Sequence, residues 1–292
     1  MQFIKQIIPE QITEALGWTI LHSLWQGALI VLLMGGLLIV FRKKSAKFRY
    51  KLAFSGMLTM FAAAVVTFIL NWPAITTLET VESSPEWKAL SIGLIQDVLN
   101  GSEQSLKAGI WDTLYMNTRS YFDQNIPLFV TTWMMGLLLM SLRFMGGLVL
   151  SQRIRHYRTL GLDGDIKLKI YELADKLELD KRFEIIGSEF ARIPMVTGWL
   201  RPVLIIPVSL FIQLPYEQIE AILVHELAHI RRNDYLQNIV QSIIELLFFY
   251  HPAIWWMSAI LRQEREHICD DAAIGFTKDP LLYARSLASL QE

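Results

Sequence analysis

His225-Glu226-Leu227-Ala228-His229 is the densest group of chemistry-bearing side chains in the sequence. On a helix, positions four apart share one face. Two imidazoles can therefore reach one ion while the glutamate between them reaches a water bound to it. That is the zinc-hydrolase arrangement. Zinc acts there as a Lewis acid, polarising a scissile carbonyl and lowering the pKa of its water. Glu226 is then the general base that takes the water's proton and later delivers it to the leaving amine. The competing reading of these five residues alone is a solvated helical face with two incidental histidines.

A catalytic zinc commonly takes three protein ligands and keeps one position for water. The HExxHxxGxxH continuation is absent, since position 232 is Arg232. Downstream stands Glu264-Arg265-Glu266-His267-Ile268-Cys269-Asp270-Asp271. Glu266 and Asp270 are four apart and share a helical face. Glu266 is the candidate third ligand, and Asp270 can hydrogen-bond a ligand histidine from behind. The alternative is an ordinary charged amphipathic helix. Cys269 lies off that face and reads as a small buried residue rather than a thiolate ligand. His251 and His267 lack ligand spacing and read as structural or exposed.

These residues need elements to hold them. Leu214-Pro215-Tyr216-Glu217 starts a helix with a tolerated first-turn proline, and the helix is predicted to run to about Arg232. Residues 167–179 have helical apolar spacing. The short apolar runs 183–187 and 202–207 suit strands. Between them, Pro194 to Gly198 reads as an extended edge and turn. It is either a substrate-binding edge or a plain sheet edge. Residues 238–261 are apolar enough to suggest a membrane span, but one crossing would put His229 and Glu266 on opposite sides. Pro252, His251 and Glu245 break the run, so a helical hairpin is predicted, with the second helix carrying Glu266. Its Phe248-Phe249-Tyr250 and Trp255-Trp256 clusters suit either a membrane interface or core packing.

Composition places the rest in a membrane. Of 292 residues, 53% are hydrophobic and 19% charged, against about 25% charged in soluble domains. Mean hydropathy is +0.34. Lys+Arg is 27 and Asp+Glu 28, and the single cysteine cannot form an intramolecular disulfide. A disordered chain, a basic nucleic-acid-binding domain and a disulfide-rich module are excluded. Residues 18–41 and 52–70 are free of charge, and 126–150 carry only Arg143. Each is long enough to span. The first lacks the basic leader and cleavage site of a signal peptide.

The loop between the first two spans holds Arg42, Lys43, Lys44, Lys47, Arg49 and Lys51, and Arg153, Arg155 and Arg158 follow the third. The acid-rich stretch 73–125 lies between. The positive-inside rule puts the basic segments in the cytoplasm and 73–125 outside. His22, Trp25 and Gln26 within the first span read as interhelical hydrogen-bonding groups. Gly35-Gly36 and Gly146-Gly147 are candidates for close helix approach.

At this point the sequence resembles a known family. HELAHIRRND, FFYHPAIWW and EREHICDDAA, with Val196-Thr197-Gly198-Trp199-Leu200-Arg201-Pro202 before them, are similar to BlaR/MecR-type antirepressor membrane metallopeptidases. Members are gluzincin-like, similar in active-site plan to CAAX-processing and HtpX-type membrane proteases. The resemblance implies zinc ligation by His225, His229 and Glu266, Glu226 as general base, and Asp270 behind the ligands. It implies one Zn2+ per chain. It also implies a protein substrate, a cytoplasmic BlaI/MecI-like repressor and the chain itself among the candidates. The family's sensors carry a penicillin-binding domain. No Ser-x-x-Lys with sensor context occurs here, so either a piece of a longer chain or a relative without that domain is expected.

The fold expected is a mainly α membrane protein, with three N-terminal transmembrane helices and a cytoplasmic α+β gluzincin-like zinc metallopeptidase domain. The expected domains are 1–72 (two spans and a basic loop), 73–125 (extracytoplasmic), 126–150 (third span) and 151–292 (peptidase, with a membrane-associated hairpin at 238–275). The expected function is zinc endoproteolysis in signal transduction, at a multi-pass bacterial inner membrane with the site facing the cytoplasm. The bilayer and a second copy of the chain are expected partners, with no direct nucleic acid. The alternatives are a membrane quality-control protease and a non-proteolytic signalling or scaffold protein with a structural zinc.

Overall fold

A computed structural model describes residues 9–82, 110–156, 159–179, 183–198 and 201–290. The protein is mainly helical. Helices α1 (Glu10–Val40), α2 (Ala46–Glu82) and α3 (Ile110–His156) come first. Each contains a stretch long and apolar enough to cross a membrane: Glu10–Val40, Ala46–Trp72 and Leu114–Arg153, with mean hydropathies of 2.1, 2.1 and 1.7. The third helix differs from the expected span. It begins well before residue 126 and continues through Pro127. Proline removes one backbone donor, but a long helix tolerates this where other groups re-satisfy the carbonyl. The ends of the stretch 73–125 are thus helical, at 73–82 and 110–125, and residues 83–109 lie outside the described residues.

The chain forms two compact units. The first takes residues 1–32 and 58–138. There Gln26 donates to the Thr67 hydroxyl at 3.0 Å, the interhelical bond expected of that residue. His22 instead accepts from Trp25 Nε1 within its own helix at 3.0 Å. Close approach falls at Gly17, where a Cβ would come 2.6 Å from Ile126. It does not fall at Gly36, Gly146 or Gly147, which face open space among the described residues. Of the four predicted glycines only Gly35 has a neighbour among the described residues, the Trp256 ring 3.7 Å from its Cβ position, an ordinary contact rather than a close approach.

The second unit takes residues 33–57 and 139–292. It holds a four-stranded sheet made of β1 (Thr159–Leu160), β2 (Glu184–Ser188), β3 (Met195–Thr197) and β4 (Val203–Pro207). The order is β1-β2-β4-β3, so β3 is an edge. β2 runs parallel to β4, and β3 runs antiparallel to it. Helix α4 (Gly164–Lys176) precedes β2. A short α5 (Leu210–Gln213) leads into α6 (Tyr216–Arg232). β4 is buried along its whole length. Its Leu204 and Ile206 pack with Ile219, Leu223, Leu227 and Ile230 of α6 in one core. That core anchors the histidine helix to the sheet.

Helices α7 (Asp234–Leu247), α8 (Pro252–Thr277) and α9 (Pro280–Ser289) complete the unit. α7 and α8 form the predicted hairpin. Asn238 meets Arg265, Gln241 meets the Ser258 carbonyl and Glu245 meets Arg262, an antiparallel register closing at 248–251. His251 is the cap of α8: its Nδ1 accepts from the Ala253 amide at 3.1 Å, and Pro252 opens the first turn. Arg49 of α2 makes paired 2.7 Å bonds to Glu264, tying the second span's start to α8.

Candidate metal centre

α6 presents His225 and His229 on one face, and α8 brings Glu266 to meet them. Glu266 Oε2 lies 3.5 Å from His225 Nε2 and 3.7 Å from His229 Nε2. The three ligand atoms fall within 4.8 Å of one another. Two donors each about 2.1 Å from one zinc at the tetrahedral angle sit about 3.4 Å apart. The donor set therefore fits zinc in type and in spacing.

The outward ring nitrogens are held by carboxylates. His229 Nδ1 lies 2.8 Å from Asp234 Oδ2. Tyr283 donates to Asp270 Oδ1 at 2.6 Å, and its oxygen lies 2.8 Å from His225 Nδ1. His225 Nδ1 is also 3.2 Å from Asp270 itself. A proton on each Nδ1 satisfies these bonds and leaves each Nε2 lone pair facing Glu266. This is the carboxylate–histidine pattern that fixes tautomer and ring orientation.

Two chain reversals build that outer layer. Asn233 ends α6 in the left-handed conformation, φ 58° and ψ 38°, which asparagine tolerates. The chain turns at once into α7, so Asp234, only 4% exposed, returns under His229. Lys278 ends α8 with φ 53°, and Asp279 caps α9 by accepting from the Leu281 and Leu282 amides. α9 thereby folds back and delivers Tyr283 to His225.

Charge follows geometry. Burial disfavours a charged His229 ring, but hydrogen bonds to Asp234, Cys269 and Glu266 outweigh it and push its pKa up to about 12 without metal. The same histidines hold the Glu266 carboxyl well below its ordinary range. Burial raises the Glu226 carboxyl despite the adjacent imidazoles. Burial and the bond to Asp270 raise the Tyr283 phenol. Glu226, His229 and Glu266 line a cavity of about 280 Å3 with Met195 and Val196 of the edge strand.

All five sequence-predicted residues fall here: His225, His229 and Glu266 converge, Glu226 lines their cavity, and Asp270 stands behind His225. Asp234 and Tyr283 are additions. Asp234 follows His229 by five residues, beyond one helical face, so only the break at Asn233 could have exposed it. Tyr283 has no spacing signature at all. Cys269 is fully buried, its Sγ 3.4 Å from His229 Nδ1. It sits on the Asp234 side of the ring, away from the Nε2 where Glu266 converges. His267 is exposed, with Nδ1 3.7 Å from Glu264.

Together these features define a class: a membrane-spanning chain with a gluzincin-type donor set on two helices. The family model described as BlaR1 peptidase M56 matches residues 18–292, and the chain belongs to that family. It is 22% identical over 148 residues to the regulatory protein BlaR1 of Bacillus licheniformis, 50% of this chain and 24% of that protein. The methicillin resistance mecR1 proteins of Staphylococcus aureus and Staphylococcus epidermidis are each 22% identical over 185 residues, 60% of this chain and 29% of theirs. The chain thus spans less than a third of the length of these relatives. The crystal structure of S. mikatae Ste24p aligns over 97% of this chain and 92% of its own, at 13% identity and a TM-score of 0.38, too low to bear on the site.

Proposed function

We propose that the chain is a membrane zinc endopeptidase that cleaves a regulatory protein. The observation that carries this is the convergence of His225, His229 and Glu266, with each histidine held from behind through Asp234 or Tyr283–Asp270. Zinc, when bound there, would polarise a peptide carbonyl and acidify a water. Glu226, whose carboxyl lines the same cavity, would serve as the base that accepts a proton from the attacking water and returns it to the leaving amine. A carboxyl whose pKa is raised by burial is a stronger base than an exposed one. Asp234 behind His229, and Tyr283 with Asp270 behind His225, hold the two rings so that each Nε2 is turned towards Glu266.

Several features favour a catalytic over a closed structural site. Cys269 lies on the wrong side of His229 to fill a fourth position, and the donor set opens on a cavity. β3 pairs on one side only, with β4, and Met195 and Val196 line that cavity. An extended substrate adding to this edge would run past Glu226. We assign the peptidase to residues 151–292, with 238–275 as a membrane-associated hairpin. Leu236, Val240, Ile243, Trp255 and Trp256 on the hairpin are exposed, as bilayer contact would require. The basic segments, read by the positive-inside rule, support a site facing the cytoplasm. The relatives' regulatory roles and the motif resemblance point to a cytoplasmic repressor as substrate, with the chain itself as a second.

The test uses wild type and Glu226→Gln in detergent, measuring zinc per chain and cleavage of self and of candidate repressors. About one zinc in both, with cleavage in wild type alone, is expected. Zinc in neither refutes the metal reading. Zinc in both with equal cleavage refutes the role of Glu226.

A further inference from the structure

A cavity of about 530 Å3 lies within the second unit, between α3 and the α7–α8 hairpin, and shares no lining residue with the cavity at the metal centre. Its volume is that of a small-ligand site, which run from about 300 to 1,000 Å3. Met140, Phe144 and Leu148 of α3 line it together with Leu246 and Phe249 of the hairpin. Gly147 stands in the α3 wall, and a Cβ there would meet nothing within 4 Å. The walls are thus largely apolar, and the space beside Gly147 is open.

Three charged side chains reach this apolar space: Arg143 from α3, Glu245 from α7 and Arg262 from α8. Glu245 is already engaged, accepting from Arg262 at 2.8 Å and from Gln241 at 2.9 Å. Arg143 has no such partner among the described residues, so one positive charge is left uncompensated. It lies inside the apolar stretch Leu114–Arg153, ten residues before its end (143 to 153), or about 15 Å along the helix. A cation at that depth calls for an anion or a polar cavity. Ser258 of α8 is an independent sign. It lines the same cavity and is 1% exposed, and its hydroxyl has no hydrogen-bond partner among the described residues. Buried hydroxyls are normally bonded, and this residue adjoins a space from which an acceptor can reach it.

An unpaired cation and an unbonded hydroxyl suit an anionic acceptor, while the walls suit hydrocarbon. A free anion meets only the first demand, and a membrane amphiphile meets both. We propose that this cavity binds one anionic phospholipid of the bilayer, with Arg143 and the Ser258 hydroxyl donating to its phosphate and an acyl chain against Phe144, Leu148 and Phe249. Neither the metal centre nor its chemistry enters this assignment. The full chain in detergent would be incubated with phosphatidylglycerol or phosphatidylcholine, and retained lipid read by native mass spectrometry. One phosphatidylglycerol per chain should survive detergent exchange. Phosphatidylcholine should not, because its choline brings a second cation and Glu245 is already paired.

Arg143→Gln should weaken retention about fivefold, the worth of one cation near a lipid phosphate. Ser258→Ala should weaken it about threefold. Because that change removes an unbonded buried hydroxyl, the lipid-free melting temperature should stay the same or rise. If Arg143→Gln itself melts lower than wild type, Ser258→Ala alone decides. Lys43→Ala with Lys44→Ala is the control for diffuse attraction. Equal retention of both lipids, unchanged retention in the deciding variants, or an equal loss in the control overturns the proposal. Inorganic phosphate is tested as competitor at the same concentrations. If it displaces phosphatidylglycerol as well as added lipid does, the occupant is a free anion and the lipid assignment falls.

Discussion

Asp234 offers the sharpest test of how the metal centre is held. Its Oδ2 lies 2.8 Å from His229 Nδ1, the nitrogen turned away from Glu266, and 3.9 Å from Cys269 Sγ, on an almost wholly buried side chain. Carboxylates in this role change metal affinity by about 10- to 100-fold, or about 1.4–2.7 kcal/mol. Asp234→Asn keeps an acceptor but loses the charge, so it should fall near the tenfold end. Asp234→Ala also frees the ring to rotate and should fall near the hundredfold end.

The carboxylate has a second measurable effect. It helps push the metal-free His229 to about 12, so the ring is protonated at neutral pH and must lose that proton to donate Nε2. Zinc binding to wild type should therefore release about one proton from His229, and affinity should tighten as pH rises. In Asp234→Asn the metal-free ring loses its charged partner, and both the release and the pH slope should shrink. The assay is zinc titration by calorimetry in two buffers of different ionisation enthalpy, alongside competition with a chromophoric chelator. Zinc affinity within twofold of wild type in a well-folded Asp234→Ala would refute the orienting role. An unchanged proton count in Asp234→Asn would refute the assigned cause of the His229 shift.

The same shifts set a pH window for the metal-free protein. Glu266 is depressed, so its contribution is present above its unfolded value, about 4.3, and is lost as pH falls through the folded one. His229 is raised, so its contribution is complete below about 6.5 and is lost as pH rises towards about 12. The melting temperature of metal-free wild type, relative to Glu266→Gln, should thus be highest between about pH 4.5 and 6.5, and a difference that grows up to pH 9 contradicts the pairing. Tyr283→Phe removes one relay between His225 and Asp270 but leaves their 3.2 Å contact, so it should cost less than about tenfold in zinc affinity, and Asp270→Ala more. Chelator competition on both decides the order, and the reverse order is incompatible with the relay. Arg49→Ala strands the buried Glu264 carboxylate and should destabilise by about 2–3 kcal/mol, below the usual cost of a fully buried pair because Arg49 is partly exposed. Arg49→Ala with Glu264→Gln should recover part of the loss in thermal melting, and a recovery of zero excludes the pair as its source.

The candidate donor set was legible because each of its relations is local. His225 to His229 and Glu266 to Asp270 are single helical turns, and a four-residue spacing carries its own geometry. The hairpin was legible for a different reason. A single crossing at 238–261 is incompatible with a site shared by His229 and Glu266, and Pro252 marks where the chain reverses. Asp234 and Tyr283 were not legible, because their positions depend on left-handed residues at 233 and 278 that no spacing encodes. Nor was the helical course through Pro127, where composition marks a boundary and the backbone continues. The glycine pairs misled because composition shows where a backbone could approach a neighbour, but not how near a neighbour comes.

The way the site is divided between elements explains why its inner and outer layers differ so much in legibility. The inner layer needs direction: Nε2 and carboxylate atoms must meet within a few tenths of an ångström, and helices anchored on a packed core supply that. α6 is fixed through Leu227 and Ile230 against β4, and α8 through Arg49–Glu264 and the hairpin. The outer layer needs reach. A carboxylate must come round behind an imidazole already pointing at the metal, from a direction that the same helix cannot supply. Asn233 and Lys278 solve this at the two helix ends, each by one left-handed residue that sends the next helix back across the site. The same two reversals put Asp234 and Tyr283 beside the helices whose spacing they serve. Any change in the packing of α7 or α9 then acts on the imidazoles before it acts on the metal position itself.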